Sequence, residues 1–279
     1  MSDSPTHAAV PTGRIGAMFD ALAADYDQSG VPFFEPIATG LVRCLAPRPG
    51  ERALDIGCGR GAASLPLAEA VLPTGSLTAV DLSGEMLTHT RSLLSCRGHA
   101  AVVVQQDAAR LDLPRGAYDI VASSLVLFFV DRPREAVRAW VELLAPGGRI
   151  GLSTFGPAET AFGELTGLLS AWAPPGLRDP KVAPADNPFA SDGAMEAMLE
   201  EAGAADARTV TVDLPVTFHG VQDWRRWSMG TGQRAMWDAV PDDERPGVLA
   251  TAEEILAARA GPDGATILTQ GVRYTLGHR

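Results

Sequence analysis

Apolar positions recur at helical spacing twice before any strand signal appears. Over 15–29 (IGAMFDALAADYDQS), Ile15, Met18, Phe19, Leu22 and Tyr26 share one face, which predicts a short amphipathic helix. A second helix carries Ile37, Leu41, Val42 and Leu45 and stops at Pro47 and Pro49-Gly50. The period then changes. ERALDIG (51–57), SLTAVDLS (76–83), AVVVQQDA (101–108) and a segment within AYDIVASSLVLFFV (117–130) read as strands. Helical stretches at 65–72, 84–96 and 133–145 separate them, and RIGLSTF (149–155) follows Pro146-Gly147-Gly148 as a further strand. Strands alternating with helices at this spacing require right-handed crossovers and a mostly parallel sheet covered on both faces.

Beyond Phe155 the rhythm loosens. Residues 173–190 are proline-rich and read as loop, and Ser191 is placed to cap a helix reaching about Gly203. ARTVTVDLPVTF (207–218) alternates as a strand, 221–260 reads as two or three short helices, and ATILTQGVRYTL (265–276) closes the chain as a strand.

Composition narrows the partners. The chain has 279 residues, with 34 acidic against 23 basic side chains and a formal charge of −11. Nucleic-acid binders show a basic face, and no Lys/Arg run supplies one here, so a nucleic-acid partner is not expected. No long apolar run calls for insertion in a membrane, no leader is visible before Arg14, and the expected location is the cytoplasm. Cys44, Cys58 and Cys96 form neither a disulfide framework nor a metal knuckle, and no compact His/Asp/Glu cluster calls for a metal.

The chemistry gathers at strand ends. Leu54-Asp55-Ile56-Gly57-Cys58-Gly59-Arg60-Gly61 joins a strand to a helix; its glycines allow close backbone approach, and the next helix offers free N–H groups. Gly57, Gly59 and Ala62 alone also satisfy a dinucleotide pattern. Three acids separate the readings. Asp55 would repel a pyrophosphate but suits an ammonium, Asp81 suits ribose hydroxyls, and Asp107 suits an exocyclic amine, with Ala108 leaving room for a ring. A ligand with an amino-acid head, a ribose and an adenine fits all three.

As an ordered set, LDIGCGRG, VDLS, QQDA, YDIVASS and LAPGGRI resemble the motifs of class I S-adenosylmethionine-dependent methyltransferases, especially the UbiE-like branch that acts on small molecules. The resemblance covers roughly residues 15–155. It implies a Rossmann-like α/β fold: a seven-stranded, mostly parallel sheet whose last strand is antiparallel, with helices on both faces. The pattern along the chain adds a helical lid inserted between strands 6 and 7, and the division expected is a disordered tail at 1–14, a core at 15–218 and 261–279, and a lid at 219–260 to which 156–190 contributes. Carried over by position, Asp55 touches the methionine amine of S-adenosylmethionine, while Gly57 and Gly59 line its carboxylate and sugar. Asp81 grips the ribose, Leu82 and Met86 sandwich the adenine, and Asp107 and Ala108 read its edge. Ser124 and Leu125 lie beside the sulfonium, and Tyr26 closes over the cofactor, whose spent form is S-adenosylhomocysteine. Phe128-Phe129 stands where relatives often carry a histidine and leaves an apolar wall.

The acceptor side is less determined. Trp224, Trp227 and Trp237 cluster within 219–240, either as an aromatic lid over a bulky apolar substrate or as the core of a small helical cap. His219 is the best-placed histidine for a general base, with Glu159, Glu164 and Asp223 as comparable candidates. Arg225, Arg226 and Arg234 suit a substrate anion or a solvated face. The function expected is methyl transfer to O, C or N of a small, largely apolar molecule in natural-product biosynthesis. A cyclase that retains the cofactor and an NAD-dependent oxidoreductase are the alternatives. Whether the protein is a homo-oligomer is left open.

Overall fold

The computed structural model describes residues 12–173 and 187–279. Two helices, α1 (Thr12–Leu22) and α2 (Phe34–Leu45), precede an alternating series: β1 (Arg52–Ile56), α3 (Ser64–Val71), β2 (Ser76–Asp81), α4 (Gly84–Cys96), β3 (Val102–Gln105) and β4 (Tyr118–Ser124). A single 3-10 turn at Leu127–Phe129 leads to α5 (Pro133–Leu143) and β5 (Leu144–Ala158). Then come α6 (Thr160–Ser170), α7 (Asp192–Glu201), β6 (Ala205–Phe218), α8 (Val221–Met229), α9 (Arg234–Ala239), α10 (Arg245–Ala257) and β7 (Thr266–His278).

The strands form one seven-stranded sheet in the order β3-β2-β1-β4-β5-β7-β6. β1 through β5 are parallel, and β7 runs antiparallel between β5 and β6. The expected fold class therefore holds, including the antiparallel last strand. Strand order reverses between β1 and β4, and a crevice opens at the carboxyl ends of these two strands, where ligands of open α/β sheets bind. Each face is covered. Val137 and Trp140 of α5 and Met195 and Leu199 of α7 pack on one side, against Leu54, Val121 and Ile150. Leu41 and Leu45 of α2, Leu67 of α3 and Leu165 of α6 cover the other, against Ala53, Ile120 and Val272. Gly151 permits this close packing, because a Cβ there would stand 2.9 Å from the Leu45 side chain.

Two boundaries differ from the sequence pattern for local reasons. The helix expected over 15–29 ends at Leu22, and the chain runs on through turns to Asp27, whose φ of +56° lies outside the helical region. Thr12 to Arg14 belong to α1; the rest of the segment expected as a tail lies outside the described residues, as does most of the proline-rich stretch, 174–186. Pro146-Gly147-Gly148 does not delay β5: Tyr118 pairs with Leu144, and an irregularity between Tyr118 and Ile120 absorbs the turn.

The helices between β6 and β7 are built around tryptophan. Trp224 and Trp237 lie 5.6 Å apart, and the Trp237 indole N–H donates to Ser228 Oγ at 2.8 Å. Trp227 meets Phe33, Phe162 and Phe218 with ring centroids 5.1, 5.5 and 5.6 Å away. All three indoles are buried in the cluster that covers the α2 face of the sheet. Replacing Trp237 with Ala removes a large buried side chain and its hydrogen bond, and about 3–5 kcal/mol of stability should be lost. Urea denaturation followed by circular dichroism checks this; a loss under 1 kcal/mol would show that the cap does not depend on its indoles.

Candidate active site

Four strand ends converge on a cavity of about 320 Å³. Gly57 and Gly59 of the loop after β1, Asp81 at the end of β2 with Leu82 after it, Asp107 and Ala108 after β3, and Ser124 at the end of β4 line it, with Met86 from the first turn of α4. Ile15 and Phe19 of α1 and Tyr26 of the following turn complete the wall. The structure thus brings together every residue expected at the cofactor except Asp55, which lies behind the glycine loop.

The loop is shaped by its neighbours. Gly57 has φ +70°, and a Cβ there would lie 2.3 Å from Val126 Cγ2, so neither the conformation nor the space admits a side chain. The N–H of Gly59 donates to Asp81 Oδ2 at 2.8 Å, and that of Ser83 to Oδ1 at 2.9 Å. Both carboxylate oxygens are thereby oriented while each keeps acceptor capacity. Burial raises the Asp81 pKa, opposed by these backbone donors. Asp107 accepts the Ala109 N–H at 2.9 Å, and the Trp140 indole holds the Ala108 carbonyl at 2.8 Å.

Asp55 is nearly inaccessible. Its Oδ2 accepts the Ser64 hydroxyl at 2.5 Å, while Oδ1 is buried without any partner. Burial pushes its pKa up to about 7, with the Ser64 bond opposing and the Asp81 charge adding to the rise. A buried carboxylate oxygen without a donor is unusual in a finished structure and marks a place for a cationic or donor group. Together with the glycine cradle, it fits the ammonium-bearing head of the expected cofactor.

The cover over the cavity is pinned at three points. Asp20 of α1 accepts the Ser83 hydroxyl at 2.6 Å and the Glu85 N–H at 3.2 Å, at the start of α4. Arg60, from the glycine loop, donates to the carbonyls of Ala23 and Ala24 at 2.6 and 2.9 Å. The Asp27 N–H donates to the Gly230 carbonyl between α8 and α9 at 3.2 Å. Tyr26 stacks on Phe34 at 4.6 Å, and burial, with Asp27 and Asp81 nearby, holds its phenol well above the usual range and neutral. Asp27 is itself pushed up to about 6 by burial and by Glu35.

The residues expected on the acceptor side are not brought to this cavity. His219 is exposed, and its backbone N–H donates to Asp223 Oδ2 at 2.9 Å. Trp224, Trp227 and Trp237 are interior to the cap and its junction with the sheet, so of the two readings of this cluster the geometry matches the cap core. Glu159 accepts the Thr269 N–H at 3.0 Å, Glu164 faces Arg259 at 4.0 Å, and Asp223 pairs with Arg226. Arg234 pairs with Asp238 at 3.2 Å and Asp25 at 3.7 Å, and Arg225 is exposed. In their place the wall near Ser124 is Leu125, Val126 and Phe129, with Arg110, Asp131, Arg132 and Glu135 also on the lining. Ile15 and Phe19 were legible as one helix face, but not that the face looks onto a cavity. Among the described residues no group of His, Cys, Asp or Glu is arranged to hold a metal, and no helix is long and apolar enough to cross a membrane.

Comparison with known proteins adds the family. A family described as methyltransferase domain matches residues 54–152. The chain is 35% identical over 274 residues to nocamycin O-methyltransferase of Saccharothrix syringae, spanning 93% of this chain and 96% of the relative. It is 34% identical over 142 residues to aklanonic acid methyltransferase DauC of Streptomyces sp. (strain C5), which covers 50% of this chain and 64% of that protein. The crystal structure of the [4+2]-cyclase SpnF has the same fold, with a TM-score of 0.61 over 97% of both chains at 17% identity. A glycine loop, two strand-end acids and a relative matched along nearly its whole length decide against the dinucleotide reading, and the chain belongs to the class I S-adenosylmethionine-dependent methyltransferases.

Proposed function

We propose that the acceptor is a small, largely apolar natural product and that the methyl group goes to one of its oxygens, an enol or carboxyl that ionises unaided. The observation that carries this reading is the wall around Ser124. Leu125, Val126 and Phe129 stand there, and none of them can take a proton; the carboxylates of the lining that follow, Asp131 and Glu135, come only after the 3-10 turn. The extended similarity to an O-methyltransferase supports oxygen as the acceptor atom.

S-adenosylmethionine supplies a methyl group on a positively charged sulfur, open to in-line displacement. The protein's part is alignment and exclusion of water. Asp81 would hold the ribose hydroxyls with two carboxylate oxygens already oriented by Gly59 and Ser83. Leu82 and Met86 would flank the adenine, and Asp107 with Ala108 would meet its edge. Gly57 and Gly59 would admit the methionine portion, with Asp55 answering its ammonium. Tyr26, neutral and stacked on Phe34, would close the site from above. The apolar groups beside Ser124 would strip water from an anionic oxygen, which raises its nucleophilicity without a base.

Two outcomes are expected. Asp55 in the free protein is largely protonated at pH 6 and largely ionised at pH 8, and an ammonium selects the ionised form. The affinity for S-adenosylhomocysteine should therefore rise about tenfold from pH 6 to pH 8, with proton release at the lower pH. Asp55→Asn should bind more weakly and lose that slope; titration calorimetry in buffers of different ionisation enthalpy measures both, and an unchanged slope would remove Asp55 from the role. His219→Ala should keep kcat within about twofold, because alignment and not a protein base limits the step. The pH–rate profile should follow the acceptor's own ionisation, with one S-adenosylhomocysteine released per product. A hundredfold fall in His219→Ala, or product without S-adenosylhomocysteine, would overturn the reading.

A further inference from the structure

The hydroxyl of Ser124 has a hydrogen to give. Ser124 ends β4 and lines the cavity, and its Oγ lies 2.9 Å from the Oγ of Ser153, its register partner on β5. Each hydroxyl carries one hydrogen, so the direction of the bond between them decides which hydrogen is left over. Ser153 is only 1% exposed, and among the described residues Ser124 Oγ is the sole hydrogen-bond partner of its hydroxyl. A buried hydroxyl with its hydrogen unpaired costs free energy, so Ser153 donates and Ser124 accepts. The Ser124 hydrogen then has no acceptor among the described residues and is left for the cavity that Ser124 lines.

The backbone holds Ser124 in place independently of this bond. Leu125, the next residue, has φ +58°, a left-handed conformation rarely taken by a residue with a side chain. Its N–H donates to the Ser153 carbonyl at 3.1 Å. Beyond it Val126 passes so close to Gly57 that no Cβ would fit there. Ser153 therefore fixes the end of β4 twice, through its hydroxyl and through its carbonyl. Backbone strain of this kind persists only where the surroundings enforce it, and it gathers at functional positions.

An acceptor oxygen in this place needs a donor. The segment from Ser124 to Val130 reads Ser-Leu-Val-Leu-Phe-Phe-Val, and Ser124 carries its only polar side chain. Apolar surroundings remove water from an anionic oxygen and so favour its protonated form. A hydrogen bond to the charged form opposes that. It also engages one lone pair while the others stay open to the methyl group.

We propose that Ser124 is a catalytic residue whose hydroxyl donates to the acceptor oxygen, keeping it ionised beside an apolar wall and aimed at the methyl group. Ser153 is the positioning residue that directs the Ser124 hydrogen into the cavity. The proposal rests on the O-methyl-transfer reading above. Ser124 keeps its proton throughout. The acceptor's proton has already left to water, the oxygen–methyl bond forms as the sulfur–methyl bond breaks, and that bond's electron pair returns to sulfur.

The test uses the whole protein saturated with S-adenosylhomocysteine and para-nitrophenol, a probe whose ionisation is read from its absorbance. Spectrophotometric titration gives the pKa of the bound probe. Ser124→Ala should raise it by about one pH unit relative to the wild type, the loss expected for one hydrogen bond to an anion. Ser153→Ala keeps the backbone carbonyl that holds Leu125, and it should raise the pKa by a smaller amount. Calorimetry should show S-adenosylhomocysteine binding both variants within about twofold of the wild type. A merely structural Ser124 would alter the melting temperature and leave the bound probe's pKa where it was. An unshifted pKa in Ser124→Ala, no probe bound to the wild type, or a loss of about tenfold or more in S-adenosylhomocysteine affinity in Ser124→Ala would overturn the catalytic role. An unshifted pKa in Ser153→Ala would overturn the positioning role of Ser153. Failure of S-adenosylhomocysteine to bind the wild type would overturn the methyl-transfer reading and both roles with it.

Discussion

Two N–H groups, those of Gly57 and Cys58, converge on the carbonyl of Val80 at 2.8 and 2.9 Å. This pair folds the loop after β1 back over the end of β2, and most of the site follows from it. With the loop held there, Gly57 takes its positive φ under Val126, Gly59 reaches Asp81, and Ser64 at the start of α3 stands within reach of Asp55. The parallel register of β1 with β2 and β4, with Asp55 opposite Ala79 and Ala122, keeps small neighbours around a buried carboxylate that lacks a second partner. The loop thus holds a buried carboxylate oxygen to which no described residue donates, an arrangement whose cost the fold carries. Rigidity in the ladder is what allows that cost to persist.

The gathering of these residues on one cavity was legible because the cavity is built from backbone shape and from acids at strand ends, both of which leave local marks in a sequence. A glycine that must accept positive φ, an Asp that ends an apolar run, and a Ser that caps a helix are each readable within a few residues. Ser191 caps α7 as its sequence suggested, and Ser83 caps α4 in the same way, accepting from the N–H groups of Ala194 and Met86 at 3.1 Å. What escaped was long-range. That Arg60 would reach across to the carbonyls of Ala23 and Ala24 depends on where the first helix lands, and no periodicity encodes this. Trp224, Trp227 and Trp237 drew notice by rarity, yet rarity does not distinguish a wall from a core; burial does.

The cap acts on the site from behind. Its indoles knit α8 and α9 to α6 and to Phe33, and its Gly230 carbonyl receives the Asp27 N–H. A cover over a ligand must open to exchange it, so its fastenings have to be few and polar rather than a broad apolar seam. The turn carrying Tyr26 combines such polar fastenings with a narrow aromatic seam, in which Tyr26 stacks on Phe34 and Phe19 meets Phe129. The bonds from Arg60 on the glycine loop, from the start of α4 to Asp20, and from Asp27 to the Gly230 carbonyl are separate contacts, each replaceable by water when the cover lifts.

The two halves of the site are therefore held by different physics. Carboxylates and N–H groups are directional, and they suit a cofactor whose charges and hydroxyls never change. The rings beyond Ser124 meet one another through faces and edges, and such contacts are less directional than a hydrogen bond. The rings come from the α1–α2 region, from the segment after β4, from the end of β5 and from the approach to α7, so one can change without disturbing the β1–β2 loop. Arg273 couples two of them, Phe155 and Phe189, through their backbone carbonyls rather than their side chains. The spacing of those two backbone segments is thereby tied to the sheet, while the side chains they carry are not.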